Sequence, residues 1–273
     1  MARECETDAM SQLLDENDVQ IRDLWPGDIA GICVEEGEPV LPMPADMDEL
    51  EAWAYVGNID DDMPSRGKQL FYRSEGLERH PVKLKLYGVV RQACLTPLGN
   101  WRGTEDGTVA AHRMVELEDP TESEAFESQM RVLDCLRKYV AYTLRGHTAN
   151  QNRQVLRLQQ RLFTKVIARL PPPVSTLQVG DDPEGLTYRV HEQWVVTCDI
   201  TLRKRTFTGE MRPATSLSFE AGDFVEAEVY VDVIVRRSKG TAPKVVDTRF
   251  RVVAVTKLLC KTDPSNPINS PMV

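Results

Sequence analysis

Five cations, Arg153, Arg157, Arg161, Lys165 and Arg169, recur at four-residue intervals, and no acid lies between the first and the last. On a helix this spacing stacks like charges along one face, where they repel one another. A sequence selected for helix stability alone would interleave glutamates. Such a stripe suits a partner with repeating negative charge, because each phosphate that a cation neutralises releases condensed counterions. A second basic group, Arg236, Arg237 and Lys239, opens the segment 236–244, which joins two alternating apolar runs as a long hairpin tip. These eight residues are the predicted nucleic-acid-binding set, for DNA or RNA. The plainer reading is a solvated basic face, or one paired within the chain to acidic residues.

The net charge of −9 hides the polarity that makes that pairing conceivable. Residues 1–64 hold 18 acidic and 2 basic side chains, whereas 131–169 hold 9 basic and 1 acidic. The acidity belongs to the N-terminal segment alone, which offers either a partner for the basic stripe or a docking arm for another protein.

Other chemistry leaves little trace. His80, His112, His147 and His191 lie far apart, and the six cysteines form no Cys-x-x-Cys pair, so neither a metal site nor a cofactor is expected. Cys198 sits at an inward position of an alternating run and reads as a small core residue rather than a nucleophile. The chain has no glycine-rich phosphate loop and no Gly-x-Ser-x-Gly elbow. Asp60-Asp61-Asp62 reads as an exposed loop. No apolar run approaches the ~20 residues that cross a bilayer, and the first residues lack a secretory pattern, so an intracellular chain, cytoplasmic or nuclear, is expected with no membrane partner.

The elements that would position these residues follow from periodicity. Residues 1–20 form an acidic arm, and 21–120 a β-rich region. There Val82, Leu84 and Leu86 alternate with Lys83 and Lys85, Val109 to Leu117 offers a second strand, and a short acidic helix spans Asp46 to Tyr55. Gly99, Gly103 and Gly107 mark a turn-rich loop around Trp101. A capping box at Thr121 and Glu124 begins a helix whose stripe runs Phe126, Met130, Leu133, Leu136 and Val140 to Gly146. A second helix through Val155, Leu158, Leu162 and Val166 would complete an α-helical hairpin over 121–170 carrying the basic stripe. Pro171-Pro172-Pro173 opens a linker over 171–185, ahead of a C-terminal β domain over 186–262 and a tail over 263–273. In that domain Trp194 to Leu202, Ala227 to Val235 and Phe250 to Leu258 alternate, which predicts an antiparallel sheet or small β-barrel. The predicted class is therefore α+β.

The words Gly222-Asp223-Phe224-Val225, followed by valine alternation, a basic hairpin and a last valine-rich strand, resemble the C-terminal end of uncharacterised fungal proteins found near mobile elements. The resemblance covers about forty residues, 218–259. It implies no catalytic residues and favours a nucleic-acid association. The sequence thus points first to a non-catalytic nucleic-acid-associated protein. A protein-interaction or scaffold module is the alternative, and an enzyme with a dispersed carboxylate site comes third.

Overall fold

The structure, a computed structural model, describes residues 31–32, 41–42, 44, 46–61, 67–73, 79–120, 124–149, 154–167, 170–206, 210–236 and 244–259. In chain order these form β1 (Gly31–Ile32), β2 (Leu41–Pro42), α1 (Met47–Trp53), β3 (Ala54–Asn58), β4 (Lys68–Tyr72), β5 (Lys83–Cys94) and β6 (His112–Glu118). Then come α2 (Glu124–Thr143), β7 (His147–Thr148), β8 (Leu156–Arg161), β9 (Phe163–Lys165), β10 (Trp194–Val196), β11 (Thr201–Arg205), β12 (Met211–Pro213), β13 (Phe224–Arg236) and β14 (Val245–Leu259). The fold is α+β with a β-rich C-terminal region.

The longest strands are those with the cleanest alternation. β13 and β14 pair antiparallel from Phe224 opposite Leu259 to Arg236 opposite Val245. One phase of each buries Val229, Val231, Phe250 and Val252 almost completely, and every such side chain contributes roughly 1.5–3 kcal/mol when withdrawn from water. The other phase presents Glu226, Glu228, Asp232, Arg249 and Arg251, none of them buried.

Five strands pair in a ring. β14 pairs β13, β13 pairs β5, β5 pairs β6 and β6 pairs β8, all antiparallel. β8 returns to β14 in parallel through one registered pair, Leu158 with Phe250. With so thin a seam the ring is not a closed barrel, which corrects the barrel alternative read from the C-terminal alternation. β4 and β3 extend the sheet beyond β13, while β11 and then β12 extend it alongside the C-terminal part of β14. Because β13 pairs β5, strands from both sides of Pro171 share one sheet and one core. The expected boundary at the prolines therefore does not separate a C-terminal domain from the strands before it.

The first predicted helix is present as α2. Its stripe packs Phe126, Met130, Leu133, Leu136 and Val140 into the core; the capping box at Thr121 lies outside the described residues. Where β6 has ended, the Gln129 amide takes over the ladder: it accepts from the Tyr87 N–H and donates to the Tyr87 carbonyl, both at 2.9 Å. The helix ends in a Schellman turn, with the Gly146 N–H donating to the Ala141 carbonyl and the Arg145 N–H to that of Tyr142. The left-handed residue is Arg145, at φ 51°. Gly146 is required for a different reason, since a Cβ there would stand 2.6 Å from Val246 Cγ2 and 2.9 Å from the Lys244 carbonyl oxygen.

The second predicted helix does not form, and the helical hairpin is corrected accordingly. Residues 156–161 are β8 and 163–165 are β9. Leu156 and Leu158 are buried while Arg157 is exposed between them, which is a period of two. An interval of four is even, so a strand also keeps Arg157 and Arg161 on one face, as a helix would. What selects the strand is β6, whose Val115 and Leu117 stand opposite Leu158 and Leu156.

Candidate nucleic-acid interface

Of the eight predicted site residues, Arg153, Arg169, Arg237 and Lys239 lie outside the described residues, as does the acidic arm over 1–20. Arg157 and Arg161 share the outer face of β8 with Gln159 between them. Lys165 ends β9, and Arg236 ends β13. The structure thus gathers Arg157 and Arg161 on one strand and sets Lys165 just beyond it. Arg236 joins from the far end of the β13–β14 hairpin.

A cleft of about 570 Å³ opens where β8 and β14 part. Its walls are Arg91, Glu116, Val155, Arg157, Gln159 and the run from Asp247 to Phe250. The four β14 residues include both phases of the strand, as a gap between two strands would expose. Arg157 donates to Glu116 from Nε at 2.8 Å and from a terminal nitrogen at 2.5 Å, yet its side chain remains 58% exposed. Arg236 and Arg249 both donate to one Asp247 oxygen, at 3.1 and 2.9 Å. The cleft is therefore lined by cations whose positions are fixed by acids, with their outer donors still free to meet a ligand.

Sequence reasoning missed Arg91 and Arg249. Arg249 stood in plain alternation with Phe250, and the outward phase of that run was the signal. Arg91 had none: it is the extra residue of a β-bulge, between Val90 opposite Leu117 and Gln92 opposite Glu116. Bulges re-aim a side chain, and pairing alone creates them.

Beyond the C-terminal end of β8 lies a patch of a different kind. Arg161 is exposed, with no ion-pair or hydrogen-bond partner among the described residues. The Lys165 ammonium stands 5.9 Å from the centre of the Trp194 ring, its register partner on β10. Tyr188, 76% exposed, stacks on His191 with ring centres 4.6 Å apart and planes 14° from parallel. The turn carrying this pair is fastened by Asp182, which accepts from the Leu186 and Thr187 N–H groups and from the Thr187 hydroxyl. Burial would raise the Asp182 carboxyl, but these donors outweigh it and hold it below the usual range. The Gln193 amide reaches Glu105 and so ties the turn to the glycine-rich loop, whose Trp101 packs edge-on against Phe163.

Other aromatic side chains of the chain stand in different surroundings. Phe224 and Phe250 are core, Tyr230 lies beneath the Arg251 guanidinium, and Phe207 is outside the described residues. Burial pushes the Cys198 thiol up to about 11, against a smaller lowering by Arg113, so it is not a nucleophile at neutral pH. Among the described residues no cluster of His, Cys, Asp and Glu could hold a metal ion, and no helix is long and apolar enough to cross a membrane.

No family model and no curated protein matches this chain. Among solved structures it is similar to gp2.5, a single-stranded DNA-binding protein encoded by bacteriophage T7, at 7% identity and a TM-score of 0.35, covering 70% of this chain and 100% of that one. It is also similar to the single-stranded DNA-binding protein from bacteriophage Enc34. The C-terminally truncated form matches at 13% identity and a TM-score of 0.32, over 71% of this chain and 91% of that one. The form in complex with ssDNA matches at 13% and 0.31, over 72% and 93%. Likeness at this level says nothing of what this chain binds.

Proposed function

We propose that this chain is a non-catalytic protein that binds single-stranded nucleic acid across the outer face of β6 and β8. The observation that carries this reading is the row Arg157, Gln159 and Arg161, whose first two members line an open cleft and which leads through β9 to β10 and the exposed aromatic pair ahead of it. Cations meet the backbone phosphates, and exposed rings stack the unpaired bases; a single strand offers both at once, and a duplex hides the second. The ring order β5–β6–β8–β14–β13, with β8 and β14 parallel, is also the strand order of the partly open five-stranded OB barrel. Members of that fold bind oligonucleotides on the face of their second and third strands. Here those strands are β6 and β8. The resemblance of 218–259 to proteins found near mobile elements is consistent with such a ligand.

The scaffold alternative, in which acidic residues 1–64 satisfy the basic stripe, finds less support. Arg157, a member of that stripe, is already paired to Glu116 of the same sheet.

The test is fluorescence anisotropy of a labelled oligothymidine of about 25 nucleotides, more than the ~4–16 that one such fold covers, with the full chain across a salt series. R161A/K165A is expected to weaken binding and to reduce the slope of log affinity against log salt by about 1.4, at ~0.7 per single-strand phosphate. Undetectable binding at low salt, or equal preference for a duplex of the same length, defeats the proposal.

A further inference from the structure

Outside this site the strongest unabsorbed charge lies on the β11–β12 hairpin. The segment 201–213 holds Arg203, Lys204, Arg205 and Arg212 against the single acid Glu210. Arg203, Lys204 and Arg205 are strand residues of β11; the first two stand in parallel register with β14 and the third opposite Met211 on β12. Lys204 stands opposite Arg212 on β12 and in register with Lys257 on β14, which makes a row of three cations across three strands. Like charges directly opposite each other destabilise a sheet. Two of the three have compensation: Lys257 bonds Asp223 and the Ser218 carbonyl, both at 2.8 Å, and Arg212 pairs with Glu210 at 2.9 Å. Lys204, Arg203 and Arg205 have no ion-pair or hydrogen-bond partner of their own among the described residues.

A plainer role for charge at a sheet margin is to discourage edge-to-edge association. That role belongs to the outermost strand, which is β12. β11 lies inside it, between β12 and β14, so its three successive cations guard no edge.

The faces matter as well. Arg203 is in register with Thr256, and Thr256 with Glu226. Glu226 shares its phase on β13 with Tyr230 and Asp232, whose partners are Arg251 and Arg249. Arg203 and Arg205 therefore stand on the sheet face that carries Arg249 at the cleft. At ~3.3 Å per residue, Phe250 at the cleft and Lys257 beside the hairpin are separated by about 23 Å along β14, a span of about seven nucleotides of a stacked strand at ~3.4 Å each.

We infer that the β11–β12 hairpin is a second phosphate-binding surface, which Arg203 and Arg205 offer to the backbone of a single strand that has already crossed the cleft. The inference rests on the single-strand reading above and adds a length threshold to it. A short oligonucleotide fills the cleft alone; a longer one reaches the hairpin and gains two further phosphate contacts.

The experiment compares labelled oligothymidines of about 5 and about 25 nucleotides, on either side of that span, with the wild-type full chain, R203A/R205A and the charge-keeping R203K/R205K. For the long oligonucleotide R203A/R205A is expected to lower the salt slope by about 1.4, while R203K/R205K retains it. For the short one all three chains are expected to bind alike. Equal slopes for the long oligonucleotide overturn the hairpin surface and leave the cleft standing, as does self-association of R203A/R205A with binding unchanged. Equal losses on both lengths also overturn it, because the cations then act on the cleft itself. If the wild-type chain binds neither length, the cleft reading and this one fall together.

Discussion

Two parts of the outer surface use charge in opposite ways. Where β13 pairs with β5 and with β14, nearly every cation has an acid. Lys83 meets Glu228 at 2.6 Å, Lys85 meets Glu226 at 3.3 Å, and Arg251 meets Asp232 at 2.9 Å. The Tyr87 hydroxyl donates to Glu226 at 2.6 Å. Along β8, β9 and β11 the cations outnumber the acids, and Arg161, Arg203, Lys204 and Arg205 have no such partner among the described residues. The first surface is neutralised by cross-strand pairing and serves the sheet. The second repels itself unless an anion from outside joins it. Equal counts of basic residues therefore carry different meanings, and register is what separates them.

The largest expected effect probes what anchors the paired surface. Gln129→Ala orphans two buried backbone groups of Tyr87, at ~1–3 kcal/mol each. Urea denaturation should show a loss of about 2–6 kcal/mol with oligonucleotide affinity unchanged just below the transition. A loss under about 1 kcal/mol would mean that water replaces the amide.

Next in size, Asp232→Asn exchanges an oxygen beside the Arg251 guanidinium for an amide donor and should cost about 1.5–3 kcal/mol, the range for a hydrogen bond to a charged group. Burial raises the Asp232 carboxyl, with Arg251 and Arg249 opposing it. Its folded value thus lies above the unfolded one, so its ionisation works against folding as pH rises through the window between them. Part of the Asn penalty should therefore be recovered at neutral pH relative to acid, and denaturation at several pH values reads this.

A single substitution shifts the paired surface towards the unpaired one. Glu226→Gln removes the carboxylate that pairs with Lys85, and if unpaired cations are what a phosphate needs, the salt slope for a long oligonucleotide should rise by up to about 0.7. An unchanged slope would show that position, rather than freedom from pairing, selects the binding cations. The smallest effect is at Asp182. Its carboxyl is held below the ordinary value of about 3.9, so the stability it adds is complete above that value and is lost as pH falls through the depressed one. Asp182→Asn should remove this acid-side loss, seen as a smaller difference between denaturation midpoints near neutral pH and near pH 3.

Much of the fold was legible. The alternations that became β5, β13 and β14, the α2 stripe and the short helix behind Asp46 all appear where local periodicity is strong, because burying one face is enough to select the element. The site was legible only in part. Arg157 and Arg161 were singled out for the right property, shared facing, on the wrong element. Their spacing suits both periods, while the deciding alternation of Leu156 and Leu158 is only two side chains long. Arg91 could not be read at all, since a bulge exists only in relation to a partner strand.

By itself, then, the sequence determined which residues alternate, where α2 runs, and that basic charge gathers in 131–169 while acid gathers in 1–64. Those are properties of neighbours along the chain. Tertiary structure alone decided that β8 would be a strand, that its ring with β14 would stay open at one seam, and which cations would meet an acid. Each of these depends on what stands opposite across a strand pair, often more than a hundred residues away, as Glu226 stands to Lys85.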